Sequence, residues 1–327
     1  MKAHVKRYVD VFNGDADGIC ALVQLRRANP QQSELVTGIK RDINLLKKVN
    51  AKQGDHVTAL DISFEKNSAD VQRLLNNGAT IDYFDHHKTG DLIAHANLNI
   101  DIDLSAETCT SLIVDKQLHG KYRAWAITAA FGDNLAAQAL SLGTDSGFDE
   151  GQLKVLQKLG TYLNYNGYGA SLDDLFFAPA ELFKSLKDYD DPFSFMASSP
   201  EVFSILENGY KSDMSKVESL ALLFCNNDIA VSCFPNEKWA RRVSGVFANE
   251  LTNLHPDRAH AVLTEKDNGN YLVSVRAPLN RRFGADELVT QFATGGGRKA
   301  AAGINDLPQE QLEIFISKMK QQFEAVK

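Results

Sequence analysis

Short apolar runs of strand length recur along the first part of the chain, separated by segments with helical character. Tyr8–Phe12, His56–Leu60 and Thr80–Phe84 are rich in β-branched and aromatic residues, which favours strands. A helix is predicted to start at Ile19–Val23, and a second one lies over Ala69–Asn76. Strands that alternate with helices in this way are typical of βαβ units, so the pattern predicts a mostly parallel sheet.

The second half of the chain has a different pattern. Residues 153–222 are mainly helical in character, and short β-like runs begin after them. The elements predicted there are strands Ile229–Cys233, Ala259–Thr264 and Asn270–Val275, a helix over Glu237–Leu251, a glycine-rich turn at Gly295–Gly297 and a C-terminal helix from Gln309. This change predicts an N-terminal domain over residues 1–204, a linker helix over 205–226 and a C-terminal domain over 227–327.

Acidic residues and histidines follow the ends of the predicted elements. The first strand is followed by Asp15 and Asp17, the second by Asp61, the third by the triplet Asp85-His86-His87, and a later helical segment by Asp133. Ligands of parallel sheets bind beyond the carboxyl ends of the strands. Hard divalent cations prefer carboxylate oxygens, and imidazole shifts the preference toward Mn²⁺, Fe²⁺ or Zn²⁺. The pattern therefore predicts a dinuclear metal site, with Asp61 as the central residue that bridges both ions.

The charge of the chain limits the classes of partner. Its 327 residues carry a net charge of −7, with a sequence pI near 5.6 and a hydrophobic fraction of 44%. Proteins that bind long nucleic acids by neutralising phosphates usually have a basic face or a basic total. Here the basic spots are local, at Arg241-Arg242, Arg281-Arg282 and Arg298-Lys299. This favours a small or short anionic substrate over a long polymer.

The cysteines and the apolar runs bear on the compartment. Four cysteines are scattered without a CxxC pair, which is typical of reduced thiols in a cytosolic protein. The N-terminal residues lack the apolar core of a signal peptide, and no apolar run reaches the length of a membrane span. We therefore expect a cytoplasmic protein with no membrane partner. The oligomeric state stays open, with a homodimer as one alternative.

The acidic motifs, in their order along the chain, resemble the four motifs of the DHH phosphoesterase superfamily. The C-terminal part is similar to the companion DHHA1 domain, since Ser274-Val275-Arg276 matches a Ser-x-Arg element. The run from Gly295 to Gly303 matches a glycine-rich loop of that domain, GGGHxxAAG. The resemblance implies an α/β fold, with a parallel-sheet N-terminal DHH domain and a helical connection to a smaller α/β DHHA1 domain.

The resemblance also implies an activity. Members include nanoRNases, oligoribonucleases and RecJ-like enzymes, so the expected protein is a manganese-dependent phosphodiesterase or phosphatase with its active site between the domains. Two Mn²⁺ ions are expected, and a metal-bound hydroxide would attack phosphorus without a covalent intermediate. Carried over by position, the metal ligands are Asp15, Asp17, Asp61, His86 and Asp133. His87 would contact the scissile phosphate, and Asp85 would orient an imidazole.

The substrate-binding residues implied by the resemblance lie in the C-terminal part. They are Ser274, Arg276, Gly295, Gly296, Gly297, Arg298 and Lys299. Glycines let backbone N–H groups approach an anion closely, and the arginines would hold the substrate's phosphate or terminal nucleotide. The expected substrate is a nucleotide or a very short oligonucleotide.

Two positions depart from the family pattern. Members commonly carry a histidine ligand just ahead of the first aspartate of the first motif, and Val11 or Asn13 stands there instead. This predicts that the second metal is held more weakly, by Asn13 or by water. Arg298 replaces the histidine of the glycine loop, which exchanges a titratable group for a permanently charged phosphate clamp.

Three alternatives remain at this point. The run Asn13–Gly18 matches the opening of an EF-hand calcium loop, although the twelfth position is Gln24 and the preceding segment is β-like. A single-strand-specific exonuclease is also a member type, but the acidic total opposes it. A nucleotide-binding sensor with impaired catalysis is the third alternative, which rests on the missing histidine.

Overall fold

The structure, a computed structural model, describes residues 6–217, 220 and 222–324. The chain divides into two compact units, Met1–Glu207 and Asn208–Lys327. None of the helices among the described residues has the length and apolar character needed to cross a membrane.

The first unit is built on a five-stranded sheet in which neighbouring strands pair in parallel. Its strands are β1 (Tyr8–Phe12), β2 (Ser33–Val36), β3 (His56–Leu60), β4 (Thr80–Asp85) and β5 (Leu98–Ile102). The central strands β1 and β3 are buried along nearly their whole length. Their sequences are accordingly apolar on both faces of the sheet rather than alternating, apart from the buried Asp10 and Thr58.

The strand order β2-β1-β3-β4-β5 determines where the loops diverge. The chain runs outward from β1 to β2 and then returns past β1 to form β3 on its other side. The direction of the connections thus reverses between β1 and β3, and the loops that follow these two strands leave the sheet in opposite directions. Such a reversal point, at the carboxyl ends of the strands, is where α/β sheets bind ligands.

Helices form the remainder of the first unit. They are α1 (Ala16–Ala28), α2 (Phe64–Asn76), α3 (Thr110–Gln117), α4 (Arg123–Gly132), α5 (Ala136–Asp145), α6 (Glu150–Asn166), α7 (Pro179–Leu186), α8 (Pro192–Ser198) and α9 (Pro200–Ser215). The last of these crosses the division between the units. α1 packs against α3 and α4, and its first nine residues are all buried. Apart from Asp17 and Gln24, the buried N-terminal half of α1 is accordingly apolar around the helix rather than amphipathic.

The second unit contains a six-stranded mixed sheet of order β10-β11-β9-β8-β7-β6. Its elements are β6 (Leu222–Cys225), β7 (Ile229–Phe234), α10 (Lys238–Leu254), β8 (Ala259–Glu265), β9 (Tyr271–Arg276), α11 (Ala285–Val289), β10 (Gly295–Gly297), β11 (Ala301–Leu307) and α12 (Leu312–Phe323). β7 and β8 are parallel, whereas β9 is antiparallel to both β8 and β11. The α/β fold class with a parallel N-terminal sheet is thus confirmed.

Most predicted elements are present, but the prediction of a turn at Gly295–Gly297 is wrong. These glycines form β10 and pair with Ala302–Ile304 of β11, so the turn lies one step later, around Lys299. The sequence hid this strand because glycines have no side chains to give a period-two pattern, and the partner strand had not been predicted. The EF-hand alternative is also wrong, because α1 begins at Ala16, inside the proposed calcium loop.

The predicted linker over residues 205–226 contains the end of α9 and the strand β6, so it is not one continuous helix. The domain boundaries at residues 204 and 227 stay a prediction.

Candidate metal centre

Asp15 fixes the entry into α1 beyond the end of β1. Its Oδ1 accepts hydrogen bonds from the backbone N–H groups of Asp17 (3.0 Å) and Gly18 (3.1 Å), as an N-cap does. A Cβ at Gly18 would lie 2.3 Å from the carbonyl oxygen of Asn13, so only glycine fits this tight start. The motif Asp-Ala-Asp-Gly therefore has a local structural cause, which places Asp17 in the first turn of the helix.

Asp17 is held by the N-terminus of α3. Both of its carboxylate oxygens accept backbone N–H groups at 2.7 Å, Oδ2 from Thr110 and Oδ1 from Ser111. The unsatisfied N–H groups at a helix start suit a carboxylate, and these two fix its orientation. Burial, followed by the charges of Asp133 and Asp15, nevertheless raises the pKa of Asp17 to about 6.

Asp61 follows β3 in a conformation that is uncommon for a residue with a side chain. Its φ is +56°, in the left-handed region that aspartate and asparagine tolerate better than most residues. Its N–H donates to the carbonyl oxygen of Phe84 at 3.0 Å, and Thr110 Oγ1 lies 3.4 Å from its Oδ1. Burial, followed by the charges of Asp15 and Asp17 among others, raises the pKa of Asp61 well above its ordinary value.

The two histidines that follow β4 have different environments. His86 is buried, and its Nδ1 donates to the carbonyl oxygen of Thr108 at 2.9 Å. In the neutral ring this hydrogen bond places the proton on Nδ1, so that Nε2 is the nitrogen available to a metal. His87 is partly exposed, and its Nδ1 donates to Asp85 Oδ1 at 2.6 Å. Asp85 Oδ2 accepts the N–H of Phe64 at the start of α2, at 3.2 Å. Asp85 thus lies against His87, and its role in orienting an imidazole stays a prediction.

Asp133 closes the centre from the end of α4. Its Oδ2 lies 3.7 Å from His86 Nε2, and its Oδ1 lies 3.6 Å from Lys40 Nζ. The following residue, Asn134, ends the helix with a φ of +60°. His86 Nε2 also lies 3.3 Å from Asp61 Oδ1 and 3.8 Å from Asp17 Oδ2. His86 thus faces three carboxylates that come from three different parts of the chain.

These side chains form two groups that share His86. Within each group, the atoms that could bind a metal all lie within 4.8 Å of one another. One group is Asp61, His86 and His87, and the other is Asp17, His86 and Asp133. Buried carboxylates that repel one another are costly unless a cation lies between them. The donor set of carboxylate oxygens with one unprotonated imidazole nitrogen therefore fits a divalent transition ion such as Mn²⁺.

Asp15 and Asn13 differ from these residues. Asp15 lies in neither group, since its Oδ1 caps α1 and its Oδ2 accepts a hydrogen bond from Lys40. Burial acts to raise the pKa of Asp15, but the Lys40 ammonium outweighs it, so that pKa is lowered. Asn13 Nδ2 donates to the carbonyl oxygen of Lys40 at 3.1 Å, and its buried Oδ1 has no hydrogen-bond partner among the described residues. The ligand roles of Asp15 and Asn13 stay predictions.

Lys40 and the pair Thr110 and Ser111 were missed by the sequence reasoning. Thr110 and Ser111 begin a helix, so a search for short polar residues ahead of an apolar run would have marked them as an anion site. Lys40 lies in an irregular segment after β2, and no local signal distinguishes it from the other lysines.

The predicted substrate residues of the second unit are brought together by strand pairing. Ser274 and Arg276 lie on β9 and pair with Gly303 and Ala301 of β11, next to the turn that carries Arg298 and Lys299. Arg276 Nε donates to Asn249 Oδ1 of α10 at 2.6 Å, which fixes its guanidinium. The glycines Gly295, Gly296 and Gly297 form the other arm of the hairpin.

The three glycines of this hairpin differ in the space around them, which gives a testable prediction. A Cβ at Gly295 would lie 1.7 Å from the carbonyl oxygen of Val289, whereas a Cβ at Gly296 would meet nothing within 4 Å. We expect Gly295→Ala to lower the free energy of unfolding by about 1–3 kcal/mol, because backbone must move. Gly296→Ala should cost well under about 1 kcal/mol, since a surface change away from such contacts has little effect. Urea denaturation of both variants compares them directly, and equal losses would contradict this packing.

Comparison with protein families identifies the second unit. Residues 226–325 match the family model described as the DHHA1 domain. No curated protein matches the sequence.

Three solved structures have a fold similar to that of this chain. RecJ of Thermus thermophilus, solved in complex with Mn²⁺, has a TM-score of 0.63 and 17% identity, and the match covers 97% of this chain and 52% of RecJ. The pGpG-specific phosphodiesterase PggH of Vibrio cholerae has a TM-score of 0.52 and 14% identity, with 97% and 100% covered. CDC45 of Entamoeba histolytica has a TM-score of 0.50 and 9% identity, with 98% and 96% covered. The present chain thus has the fold of these proteins and spans about half the length of RecJ.

Proposed function

We propose that this chain, a member of the DHH/DHHA1 superfamily, is a metal-dependent phosphoesterase that hydrolyses nucleotides or very short oligonucleotides. The observation that carries the proposal is the buried group of Asp17, Asp61, His86 and Asp133 at the reversal point of the parallel sheet. Two buried carboxylates and the partly buried carboxylate of Asp133 around one imidazole nitrogen repel one another unless a cation offsets their charge. Phosphoryl transfer is the reaction for which such acidic metal sites are most suited.

The residues of the centre divide into those that bind and those that orient. Asp17, Asp61, His86 and Asp133 would hold the ion, which when bound supplies Lewis-acid stabilisation of phosphate charge and activates water for attack. Thr110 and Ser111 orient Asp17 through their N–H groups, and the carbonyl of Thr108 fixes the tautomer of His86. Supporting hydrogen bonds of this kind commonly tune the affinity of metal ligands.

His87 is proposed to act on the substrate rather than to hold the ion. Its ring stands nearly perpendicular to that of His86, with centroids 4.6 Å apart, and Asp85 fixes its Nδ1. The His87 side chain is 24% exposed, against 3% for His86, so a substrate can reach it. When the ring carries a proton on both nitrogens, its Nε2 can donate a hydrogen bond to a phosphate oxygen or a proton to the leaving oxygen.

The hairpin of the second unit is proposed to hold the anionic part of the substrate. The β10 glycines carry no side chains, so a phosphate can approach the backbone of the hairpin closely, and Arg298 supplies a permanent positive charge. PggH, whose name states pGpG as its substrate, is matched over its whole length, whereas RecJ is matched over half. We therefore place short substrates ahead of long single strands, with the single-strand-specific exonuclease as the alternative.

Two histidine variants separate binding from catalysis. We expect His86→Ala to lose the bound ion and the activity together, because its Nε2 faces three carboxylates. His87→Ala should keep the ion but lower kcat by about 100-fold or more, as expected for a group that takes part in proton transfer. Metal content after dialysis and kcat are measured for both. Loss of the ion from His87→Ala would make His87 a ligand and overturn its proposed role.

The substrate class is tested with a panel of compounds. The protein is incubated with Mn²⁺ and with nucleoside bisphosphates, alarmone-type nucleotides, linear dinucleotides, and single strands from three to twenty nucleotides, and the initial rates are ranked. The proposal expects the highest kcat/KM among substrates of one to four nucleotides. Rates that rise steadily with strand length would favour the exonuclease. Binding of any of these compounds without turnover, at every Mn²⁺ concentration, would instead favour a sensor.

A further inference from the structure

The ammonium group of Lys40 lies among the acidic residues of the candidate metal centre. Lys40 Nζ donates to Asp15 Oδ2 and to Asn164 Oδ1, the latter at 2.8 Å, and lies 3.6 Å from Asp133 Oδ1. The ring of Tyr168 is a further neighbour, with its centroid 5.5 Å away. The ammonium therefore has an oxygen environment of the kind that a metal ion would otherwise occupy.

The backbone of Lys40 is fixed from two sides. Its N–H donates to the carbonyl oxygen of Gly167 at 2.8 Å, just beyond α6, and its carbonyl oxygen accepts from Asn13 Nδ2 at 3.1 Å. A Cβ at Gly167 would lie 3.1 Å from Asp15 Cα, so the glycine permits close approach of this segment to the first motif. Asn13 is one of the two positions, with Val11, at which the family pattern would place a metal-binding histidine. Here its amide nitrogen positions the lysine backbone instead.

The charges of the centre are distributed unevenly as a result. Asp133 faces Lys40 with Oδ1 and His86 with Oδ2, so its two oxygens lie toward two different partners. Asp15 has both oxygens engaged, by the start of α1 and by Lys40. Asp17 and Asp61 have no lysine or arginine within ion-pair distance among the described residues, and they lie on the side of His86. Their neighbours are instead the imidazoles of His86 and His87 and, for Asp17, the N–H groups at the start of α3.

We propose that the Lys40 ammonium is a built-in counter-cation for Asp15 and Asp133, so that this chain binds a single divalent ion. That ion would be held by Asp17, Asp61, His86 and Asp133. A dication bound at Asp15 would have to displace the ammonium from three oxygens and would then lie close to a like charge. The inference rests on the proposed function, because it assumes that the His86 side binds a metal.

The test is the number of bound ions in the full-length chain. Wild-type protein, Lys40→Met and Lys40→Arg are equilibrated with excess Mn²⁺, freed of unbound ions by gel filtration, and analysed for manganese per chain. We expect one ion in the wild type and in Lys40→Arg, which keeps the positive charge, and two in Lys40→Met. Electron paramagnetic resonance gives an independent readout, since two neighbouring Mn²⁺ ions couple and lose the spectrum of an isolated ion. Lys47→Met, which removes an exposed lysine, should behave as the wild type.

The outcomes separate the two proposals. Two coupled ions in the wild type, or a single ion in a folded Lys40→Met, would overturn the role of Lys40 and leave the phosphoesterase proposal standing. No bound ion in the wild type would overturn the metal-dependent function itself. Circular dichroism checks the folding of Lys40→Met, and if it fails to fold, the ion count of the wild type and of Lys40→Arg still decides the question.

Discussion

Replacing Asp61 by asparagine is expected to lower kcat/KM by more than about 100-fold, while the metal-free protein becomes more stable. Residues that only support a metal ligand already contribute roughly 10–100-fold, and Asp61 is proposed to be a ligand itself. The gain in stability has a separate cause. Burial and neighbouring acids raise the pKa of Asp61, so its charged form is unfavourable in the fold without metal. Asparagine removes that charge and keeps the shape.

Asparagine is the suitable substitution because of the backbone at this position. With φ at +56°, alanine would add backbone strain to the loss of the carboxylate, whereas asparagine tolerates this conformation. Asp101→Asn is the matched control, since it makes the same change at an exposed position on β5. Activity is measured with the best substrate of the panel, and stability by thermal unfolding in EDTA. An Asp61→Asn enzyme with wild-type kcat/KM would show that the site lies elsewhere.

The framework of the candidate site could be predicted from local sequence. β1 and β3 were predicted with their observed bounds, because most of their residues are apolar on both faces of the sheet and their ends are clear. Since parallel strands end at the same edge of a sheet, the acids that follow them had to be neighbours. The observed distances between His86 Nε2 and Asp17 and Asp61 agree with that expectation, whereas Asp133 follows the helix α4 and is not covered by it.

The residues that complete the centre could not be predicted in this way. Thr110 and Ser111 are more than ninety residues from Asp17 in sequence, and their contact depends on how α3 packs against α1. Lys40 lies in an irregular segment, and its position depends on two long-range hydrogen bonds of its backbone, to Gly167 and from Asn13. Neither Lys40 nor the pair Thr110 and Ser111 belongs to a periodic sequence pattern, and tertiary packing determines their positions. The sequence therefore indicated which residues could bind metal but not which charges already have a partner.

The carboxylates without a basic partner lead to a second large effect, which is a dependence of the free energy of unfolding on pH. Without metal, the protein is expected to lose stability as the pH rises from about 4 to above 6. The folded pKa of Asp17 is about 6, against 3.8 ordinarily, so the folded state holds this proton more tightly than the unfolded chain. The protonated Asp17 therefore contributes fully to the free energy of unfolding below pH 3.8, and this contribution is lost as the pH rises through about 6. The size is on the order of 3 kcal/mol for Asp17.

Bound Mn²⁺ should remove this loss, because the ion offsets the charges that the carboxylates acquire. Urea denaturation at pH 5, 6, 7 and 8, with EDTA or with Mn²⁺, measures both curves. His260 in the second unit acts in the opposite direction, since burial lowers its pKa to about 4 and its neutral form is favoured as the pH rises. That contribution is present with and without metal, so the difference between the two curves isolates the centre. Asp61→Asn should make the EDTA curve shallower, since it removes another carboxylate of raised pKa. A stabilisation by Mn²⁺ that is equal at pH 5 and pH 8 would show that the carboxylates of this centre do not hold the ion.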